Sequence, residues 1–560
     1  MSQERAFPDV PLRPPDLVMR LERLGSAHQT RLSFLRALLR RFRIERWQVT
    51  RERFDIDERG VGVAVYAVKI GERLYSLIAF GHQIPPEKRT DRVIAEEWDA
   101  TFVLHDGMPD RAAVERLKAN VPLQEAGRYL ASEIVLARAN RSVRLFDHVV
   151  AALAEGRQPD ASLVETIGYL MRTTAVYGNG KFGLADRELI RDRAEFANPF
   201  RAEMLTVYLI RLFTVDLVEH LAWLRGGDSA ALLDRALRRR FGIGNSTGLG
   251  MAPFLVRHPA LLDRWVSARE AALARARSRD RAKPGCANLF RGLLGKSQRL
   301  VGEWMSDDPE QLRRIAELSR DLRKLETFAS DALLSEFRPF DLIYRFAEAN
   351  LSAEGQEYCV TLIIEVNGDL VDDLAEEMAV EEGESFRIDG TMRCADLLRM
   401  IRAGYGWALR FDFSHPAAQA RFWYASEEKL EPRLGERFEE PGMEREQPLA
   451  VARDFAAMVR ALLQERPDAR LAAFLLDHPE HRHTARRIQI AASRAYSEIR
   501  DNLIDASMRP IDILRFKLAF FGAMRFDPRS DRWVRITLFQ GSPFPDELDS
   551  GDWDLWPFAA

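Results

Sequence analysis

The feature that most constrains the fold is a hydrophobic stretch from Glu203 to Trp223. Apolar residues recur there at helical spacing, among them Met204, Tyr208, Phe213, Leu217 and Leu221. Enough further apolar residues lie between them to make a helix that is hydrophobic on almost every side. Because such a helix has no polar face to turn to solvent, it is usually central to its domain. We therefore expect the chain to be built around this one helix.

A different periodicity precedes this stretch. From Trp47 to Leu104 apolar and polar or small residues alternate, with short polar turns such as Gly71-Glu72, which predicts an antiparallel meander. Helical periodicity then runs with few breaks from Ala112 to Asn350. Further strands are predicted at Tyr358–Val366, Trp407–Phe413 and Ala420–Tyr424, and a last hairpin at Ala519–Phe526 with Trp533–Phe539.

These patterns predict an α+β fold. A predominantly helical body surrounds the long buried helix, and antiparallel sheet comes from N-terminal, later-middle and C-terminal segments. Three regions follow: 1–110 with an N-terminal arm, helices and the meander; 111–350 as a helical core; and 351–560 as an α+β region with a C-terminal hairpin and a tryptophan-containing tail. Because sheet segments lie on both sides of the helical block, the regions are expected to interleave.

Composition narrows the class of protein. The chain has 82 basic and 85 acidic side chains, so its global charge selects neither a nucleic acid nor a membrane surface as a partner. Its three cysteines are far apart, form no CxxC pair and are expected to be buried hydrophobes. No apolar stretch reaches the length of a membrane-spanning helix. We predict a cytoplasmic protein that forms no membrane contact, and leave homo-oligomerisation open.

Arginines crowd the N-terminal helical segment. Arg36, Arg40, Arg41, Arg43 and Arg46 lie on or just after it. We expect a solvated polar face whose aliphatic stems cover apolar surface. The alternative is a phosphate-binding stripe, but few aromatic residues are interleaved and the chain is not basic overall.

The first of two glycine-rich segments is Tyr177–Gly183. It follows Tyr169–Val176, which we interpret as the end of a helix, where a glycine cap is expected. A cap does not account for Tyr177, Asn179 and Lys181 as a set. Lys181 lies between glycines and can point into a cleft as an anion ligand or, if desolvated, as a base.

The second glycine-rich segment is Gly242–Gly250, and it carries Asn245, Ser246 and Thr247. A helix is predicted after it, so free N–H groups and hydroxyls would collect at a positive helix end that attracts anions. The alternative is a tight connection that needs glycine for close packing. Neither the Walker A loop nor the dinucleotide fingerprint is matched, and the segment Arg238–Arg240 before it is helical in character.

Other polar groups were weighed as candidates. Asp216 and His220 are four residues apart, so they can meet on one helix face as an oriented base. The segment 138–144 places several arginine and asparagine donors on one predicted helix, where their partner is either an anion or carboxylates of a neighbouring helix. His478, His481 and His483 form the only histidine cluster, but they lack the spacing of a metal site. We predict no metal and no cofactor.

The leading functional hypothesis is an enzyme of lyase or transferase type that binds a small anionic metabolite between the two glycine-rich segments. Lys181, Tyr177 and His220 are the candidate catalytic residues. Arg172, Asn179, Asn245, Ser246 and Thr247 are the candidate ligand-binding residues. The alternative is a noncatalytic assembly or regulatory protein that binds protein or RNA through its arginine-rich helices and tryptophan tail.

Overall fold

The computed structural model of the chain describes residues 10–85, 97–120, 130–173, 175, 190, 192–245, 255, 258–378, 389, 391–410, 421–425, 430–434, 445–448, 451–499, 510–524, 536–549 and 557. At residues 119–120, 421–425, 430–434, 445–448, 451 and 510 it describes the backbone alone.

The fold is α+β, as predicted. The described helices are α1 Pro15–Val18, α2 Leu21–Leu24, α3 Phe34–Ile44, α4 Arg111–Asn120, α5 Phe146–Ala154, α6 Ala161–Ile167, α7 Arg201–Gly226, α8 Arg235–Arg240, α9 Pro259–Arg277, α10 Cys286–Gly302, α11 Pro309–Phe328, α12 Asp331–Leu334, α13 Pro339–Asn350, α14 Ala353–Glu365, α15 Gly368–Val371, α16 Cys394–Leu409, α17 Val451–Leu462, α18 Leu471–Asp477, α19 Arg482–Ser493 and α20 Pro510–Phe521. The described strands are β1 Gln48–Ile56, β2 Gly62–Ile70, β3 Arg73–Gly81, β4 Ala100–Asp106, β5 Glu133–Arg141, β6 Tyr169–Thr173, β7 Gly242–Asn245, β8 Arg421–Ala425, β9 Leu430–Leu434, β10 Arg445–Pro448 and β11 Ile536–Leu538.

Eight of these strands form one mixed sheet in the order β1-β2-β3-β4-β5-β6-β7-β11. The predicted meander supplies β1 to β4, which pair in sequence as antiparallel neighbours. All further pairs are antiparallel except β6 with β7, which run parallel. The sheet takes strands from all three predicted regions, since β11 comes from near the C-terminus. Strands β8, β9 and β10 form a second, three-stranded sheet.

The long hydrophobic stretch is the buried central helix that was predicted. Helix α7 packs on one side of the main sheet, which we call the inner face. Phe213 of α7 contacts Phe102 of β4, with ring centroids 5.5 Å apart, and Phe54 of β1, with centroids 6.3 Å apart. In the first half of α7, the Arg211 side chain donates a hydrogen bond to the main-chain carbonyl oxygen of Phe241, the residue directly before β7. The helix therefore supports both the meander and the start of β7.

The opposite side of the sheet is the outer face. Helix α4 covers its middle through Val114 and Leu117, which pack in a separate small cluster with Phe80, Val103 and other apolar residues of the strands. Towards β5 and β6 the side chains of the outer face become polar. The inner face thus belongs to the main hydrophobic core, and the outer face carries a smaller apolar cluster under α4.

Two predicted strands in the last third of the chain are helices. Tyr358–Val366 lies almost entirely in α14, which begins after Ser352, whose hydroxyl accepts from the main-chain N–H of Gly355. Ala519–Phe526 overlaps the end of α20, which begins at Pro510. Short apolar runs do not distinguish a strand from a buried helix by periodicity, and both runs are buried.

Other predicted boundaries also change. Trp407–Leu409 ends helix α16, Arg410 is its C-cap, and residues 411–413 of the predicted strand lie outside the described residues. Conversely, Tyr169–Thr173 is a strand, although a helix end was predicted. The segment 138–144 is also not a helix, because its first four residues end strand β5.

The arginine-rich segment at α3 has the expected solvated face only in part, since Arg43 and Arg46 are exposed and Arg41 is half-buried. Arg36 and Arg40 are buried. The Arg36 guanidinium donates to both carboxylate oxygens of Glu365 in α14, at 2.6 and 2.7 Å. Helix α3 is therefore buried on more than one side. Its buried arginines are accommodated there by ion pairs across the core.

The cysteines agree with expectation. Cys286, Cys359 and Cys394 are free thiols and all are buried. Burial raises the pKa of the Cys359 thiol well above its usual value, so the group stays neutral and packs as a small hydrophobe.

Candidate functional site

Strands β6 and β7 end side by side, shortly before the undescribed parts of the two glycine-rich segments. Thr173, the last residue of β6, is the register partner of Asn245, the last residue of β7. Because the strands are parallel, both chains leave the sheet in the same direction from points about 4.8 Å apart. Tyr177 follows four residues after Thr173, and Ser246 follows Asn245 directly. We call this place the β6–β7 end.

Most of the predicted site residues are not described by the structure. Tyr177, Asn179, Lys181, Ser246 and Thr247 all lie outside the described residues. Arg172, Asn245 and His220 are described, so they are the three whose surroundings bear on the hypothesis.

Arg172 and Asn245 lie at the β6–β7 end but belong to opposite faces of the sheet. Arg172 is the register partner of Gly244, and Asn245 is the partner of Thr173. Successive side chains of a strand alternate between faces, so these two point apart. Asn245 is buried on the inner face, whereas Arg172 is half-buried on the outer face. The register therefore separates two residues that were expected to hold the same ligand.

The first glycines of the second segment have a packing role. A Cβ on Gly242 would lie 2.5 Å from the Leu538 carbonyl oxygen, and one on Gly244 would lie 2.9 Å from ring carbons of Tyr169. Real Cβ atoms do not approach other atoms so closely. Close packing, the alternative weighed from the sequence, thus accounts for these two glycines.

The outer face at this end carries a polar group of side chains on β5 and β6. Asn140 is the register partner of Arg172, and Arg138 lies two residues before Asn140 on the same face. The guanidinium carbon of Arg138 lies 5.6 Å from the ring centroid of Trp98, which precedes β4. We call Trp98, Arg138, Asn140 and Arg172 the outer-face cluster.

Hydrogen bonds fix the strands beneath this cluster. The Asn140 side-chain oxygen accepts from the main-chain N–H of Asp99 at 3.0 Å, and the Asp99 carboxylate accepts from the N–H of Arg141, also at 3.0 Å. The Thr173 hydroxyl donates to the carbonyl oxygen of Arg138 at 3.1 Å. These bonds hold the end of β6 against β5 and set the direction of the Asn140 amide.

A histidine that directly follows β3 borders the outer-face cluster and contacts β4. His82 Nε2 lies 2.8 Å from the Thr101 hydroxyl, which is fully buried. Burial is the largest cause that lowers the pKa of His82, although the Asp99 carboxylate opposes it. His82 is therefore neutral near pH 7 and contributes polarity rather than charge to this side of the sheet.

His220 has its described contacts elsewhere. Its Nε2 donates to the carbonyl oxygen of Ile56 at 2.8 Å, and its ring packs edge-on against Phe54 at 5.1 Å. Both partners belong to β1, at the far edge of the sheet. His220 follows Arg211, which reaches the start of β7, by nine residues, or about 13 Å along the helix axis.

Asp216 does not serve His220 as a fixed carboxylate. It accepts from the Tyr66 hydroxyl at 2.7 Å and forms an ion pair with Arg51 at 3.1 Å. The described contacts of Asp216 thus go to β1 and β2, and those of His220 go to β1. Both contribute to holding α7 against β1 and β2.

In the histidine cluster, His478 and His481 contact other protein side chains. His481 stacks on Phe474, with ring centroids 5.9 Å apart, and His478 interacts with Glu480. Across the described part of the chain, no group of three or more histidine, cysteine, aspartate or glutamate side chains is placed to hold a metal ion.

Sequence reasoning missed the outer-face cluster for an identifiable reason. The segment 137–140 reads Ala-Arg-Ala-Asn, a strict alternation of small and polar residues that is typical of a strand with one polar face. Interpreted as a helix, it scattered Arg138 and Asn140 around an axis. Interpreted as a strand, it would have placed them on one face.

Comparison of the chain with protein-family models, curated proteins and solved structures finds no match. None of the described helices combines the length and apolar character needed to cross a membrane.

Proposed function

We propose that the protein binds a small anionic metabolite at the β6–β7 end. The observation that supports this most is the parallel pairing of Thr173 with Asn245, because the chain leaves the ends of β6 and β7 at neighbouring points, four residues before Tyr177 and one before Ser246. Parallel strands release their following segments at the same sheet edge, which is a common place for ligand sites. Arg172 and Arg138 supply positive charge there.

In this proposal the Arg172 side chain binds the anion. Asn179 of the first glycine-rich segment, with Ser246 and Thr247 of the second, orients the anion. Asn245 ends β7 on the inner face, away from Arg172. Tyr177 and Lys181 are the candidates for proton transfer in a reaction of lyase or transferase type. His220 has no part in it, because its ring is engaged with β1.

The noncatalytic alternative loses part of its basis. Arg36 and Arg40, which would have contributed to an RNA-binding stripe on α3, are buried. Arg36 is paired with Glu365 inside the protein. Two of the five arginines in that group are therefore not presented to a partner.

A thermal-shift screen tests the proposal. The panel holds phosphate, pyrophosphate, phosphate monoesters, and di- and tricarboxylates, and it is applied to the wild type and to Arg172→Gln. A specific anion raises the melting temperature of the wild type and has a much smaller effect on the variant. Arg157→Gln, at a residue that is 67% exposed on its side chain, is the control and keeps the shift.

Two results would contradict the proposal. One is that no anion of the panel stabilises the wild type. The other is an anion that stabilises Arg172→Gln and Lys181→Ala as much as the wild type. If an anion binds as expected, incubation of that anion with wild type and Lys181→Ala, followed by NMR, shows whether it is converted.

A further inference from the structure

The main sheet has two edges that differ in length and exposure. Strand β1 lies at one end of the sheet order and β11 at the other, so among the described strands each is paired on one side only. Strand β11 has three residues, all buried, and the main-chain N–H of Met524 donates to the carbonyl oxygen of its Thr537 at 3.0 Å. Strand β1 has nine residues, and six of its side chains are exposed. The edge that a strand of another molecule can reach is therefore β1.

An exposed edge strand is a template for association. Its outward N–H and C=O groups can pair with a strand of another molecule, and a long, flat, apolar edge promotes aggregation. Strand β1 is long enough for such pairing, since strands of globular proteins are mostly about 5–6 residues long. It differs from an open edge in two respects, its geometry and its charge.

The geometry is that of a β-bulge at Glu52. Arg51 is the register partner of Tyr66 and Arg53 is that of Val65, so Glu52 has no partner on β2. One extra residue bends the strand and increases its twist. Glu52 is the middle residue of β1. The bulge therefore interrupts any pairing that runs the length of the strand.

The charge is that of the same three residues, Arg51, Glu52 and Arg53, whose side chains are all exposed. Two copies of one strand that pair antiparallel about a two-fold axis place one residue opposite its own counterpart. When the pairing is centred on β1, this residue is one of the three, so like charges face each other and destabilise the pair. Parallel pairing in register repeats all three like-charge contacts.

Both arginines have carboxylate neighbours on their own chain. Arg51 forms an ion pair with Asp216 at 3.1 Å, and Arg53 forms one with Asp55 at 2.6 Å. The two arginines therefore do not depend on a second molecule for an ion pair.

We infer that β1 is a protected edge, whose bulge and charges prevent a second copy of this chain from extending the main sheet. The two features act together, because the bulge interrupts the ladder and the like charges oppose the centred registers. This inference is independent of the proposed anion site, which lies at the β6–β7 end of the same sheet.

Removal of both features tests the inference. Deletion of Glu52 leaves all eight register pairs between β1 and β2 in place, and Arg51→Thr with Arg53→Thr removes the like charges. This combined variant is expected to associate through β1. Its molar mass by light scattering should at least about double over a concentration series in which that of the wild type is constant. Hydrogen exchange should slow over the same series in the peptide that contains residues 48–56.

Two further variants control the experiment. Arg51→Thr with Arg53→Thr keeps the bulge and should associate less than the combined variant but more than wild type. If circular dichroism shows that the deletion does not fold, this charge variant decides alone, and a molar mass equal to that of wild type contradicts the inference. Lys69→Thr is the matched control, because Lys69 is an exposed charge on β2, which is paired on both sides. It should leave the molar mass unchanged.

Four results would overturn the inference. The first is a combined variant that folds and keeps the molar mass of the wild type. The second is association without slower exchange in residues 48–56, which would place the contact elsewhere. The third is equal association of Lys69→Thr, since loss of any surface charge would then suffice. The fourth is a wild type whose own association slows exchange in β1, because the edge would then be a docking surface.

Discussion

Two groups of arginines in this protein lie in different surroundings. Between α3 and α14, Arg36 and Glu365 are fully buried and form a bidentate pair, which Arg31 joins at 3.2 Å. On the outer face of the sheet, Arg138 and Arg172 are half-buried, and the Arg138 guanidinium lies over the Trp98 ring. In the first group the charged side chains pair with one another inside the protein. In the second group both arginines are partly exposed to solvent.

The difference teaches how to interpret arginine in a chain of balanced charge. A buried pair is set by desolvation, so each partner needs the other and neither can serve a ligand. A partly exposed pair on neighbouring strands keeps hydration and can exchange it for an anion. Substitutions should therefore affect stability in the first group and binding in the second.

The largest effect is expected at Glu365. Glu365→Ala removes the bidentate partner of the buried Arg36, whereas Arg31 keeps Asp372. A buried charge that loses its partner costs about 3–5 kcal/mol. Urea unfolding measures the loss. The control is Glu155→Gln, since the Glu155 side chain is 61% exposed, and it should change the free energy of unfolding by less than about 0.5 kcal/mol. Equal effects of the two substitutions would erase the distinction between the two groups.

The second prediction concerns pH and another buried carboxylate of the helical side. Burial would raise the pKa of Glu357, but Arg13, with Arg269 and then Arg23, outweighs burial and holds the pKa below its usual value. A depressed pKa stabilises the fold above the pKa of the unfolded chain, about 4.5, and this stability is lost as pH falls through the folded pKa. Wild type should therefore lose stability between about pH 5 and pH 3.

Glu357→Gln provides the comparison for that titration. The variant is less stable than wild type at pH 7, but its melting temperature falls less steeply on acidification, because it has no carboxylate to protonate at this position. Parallel curves for the two proteins over this range would show that Glu357 is not held by the arginines.

The third prediction tests the packing role of glycine at the β6–β7 end. Gly242→Ala places a methyl group against the Leu538 carbonyl oxygen and should cost about 1–3 kcal/mol. Gly292→Ala in α10 is the matched control, because nothing lies within 4 Å of its Cβ position. That change should stabilise the protein by up to about 1 kcal/mol through helix propensity. If Gly242→Ala were also stabilising, β7 would not pack against β11 as described.

The smallest effect on stability is expected in the outer-face cluster. Arg172→Gln should change the free energy of unfolding by about 1 kcal/mol or less, the range of a partly exposed ion pair. The same variant should lose most of the anion affinity. A loss of several kcal/mol in unfolding, with affinity unchanged, would place Arg172 with the structural arginines instead.

Much of the fold follows from periodicity alone. The stretch Glu203–Trp223 is long enough for its helical period to be unambiguous, and the meander from Trp47 alternates over several successive strands. Tyr358–Val366 is too short for that, and its β-branched residues favoured a strand. Its helical state depends on distant partners, since Glu357 and Glu365 meet arginines more than 80 residues away.

The candidate site was predictable only in part. Glycine and polar composition indicated the two segments that β6 and β7 bring together. The pairing itself joins residues about 70 positions apart, and nothing local in the sequence reports such a parallel register. The faces of Arg172 and Asn245 depend on that register, so their separation could not be foreseen. Trp98 was predicted to begin the third strand of the meander, but it precedes β4, and its contact with Arg138 depends on the tertiary fold.

Hydrogen exchange in the presence of phenyl phosphate tests the central claim most directly, because it reports where an anion binds without any substitution. An anion at the β6–β7 end should slow amide exchange in the peptides that contain residues 97–101, 138–141, 169–175 and 241–246, and leave α11 and α19 unchanged. Slowed exchange confined to other parts of the chain, with none in these four peptides, would contradict it.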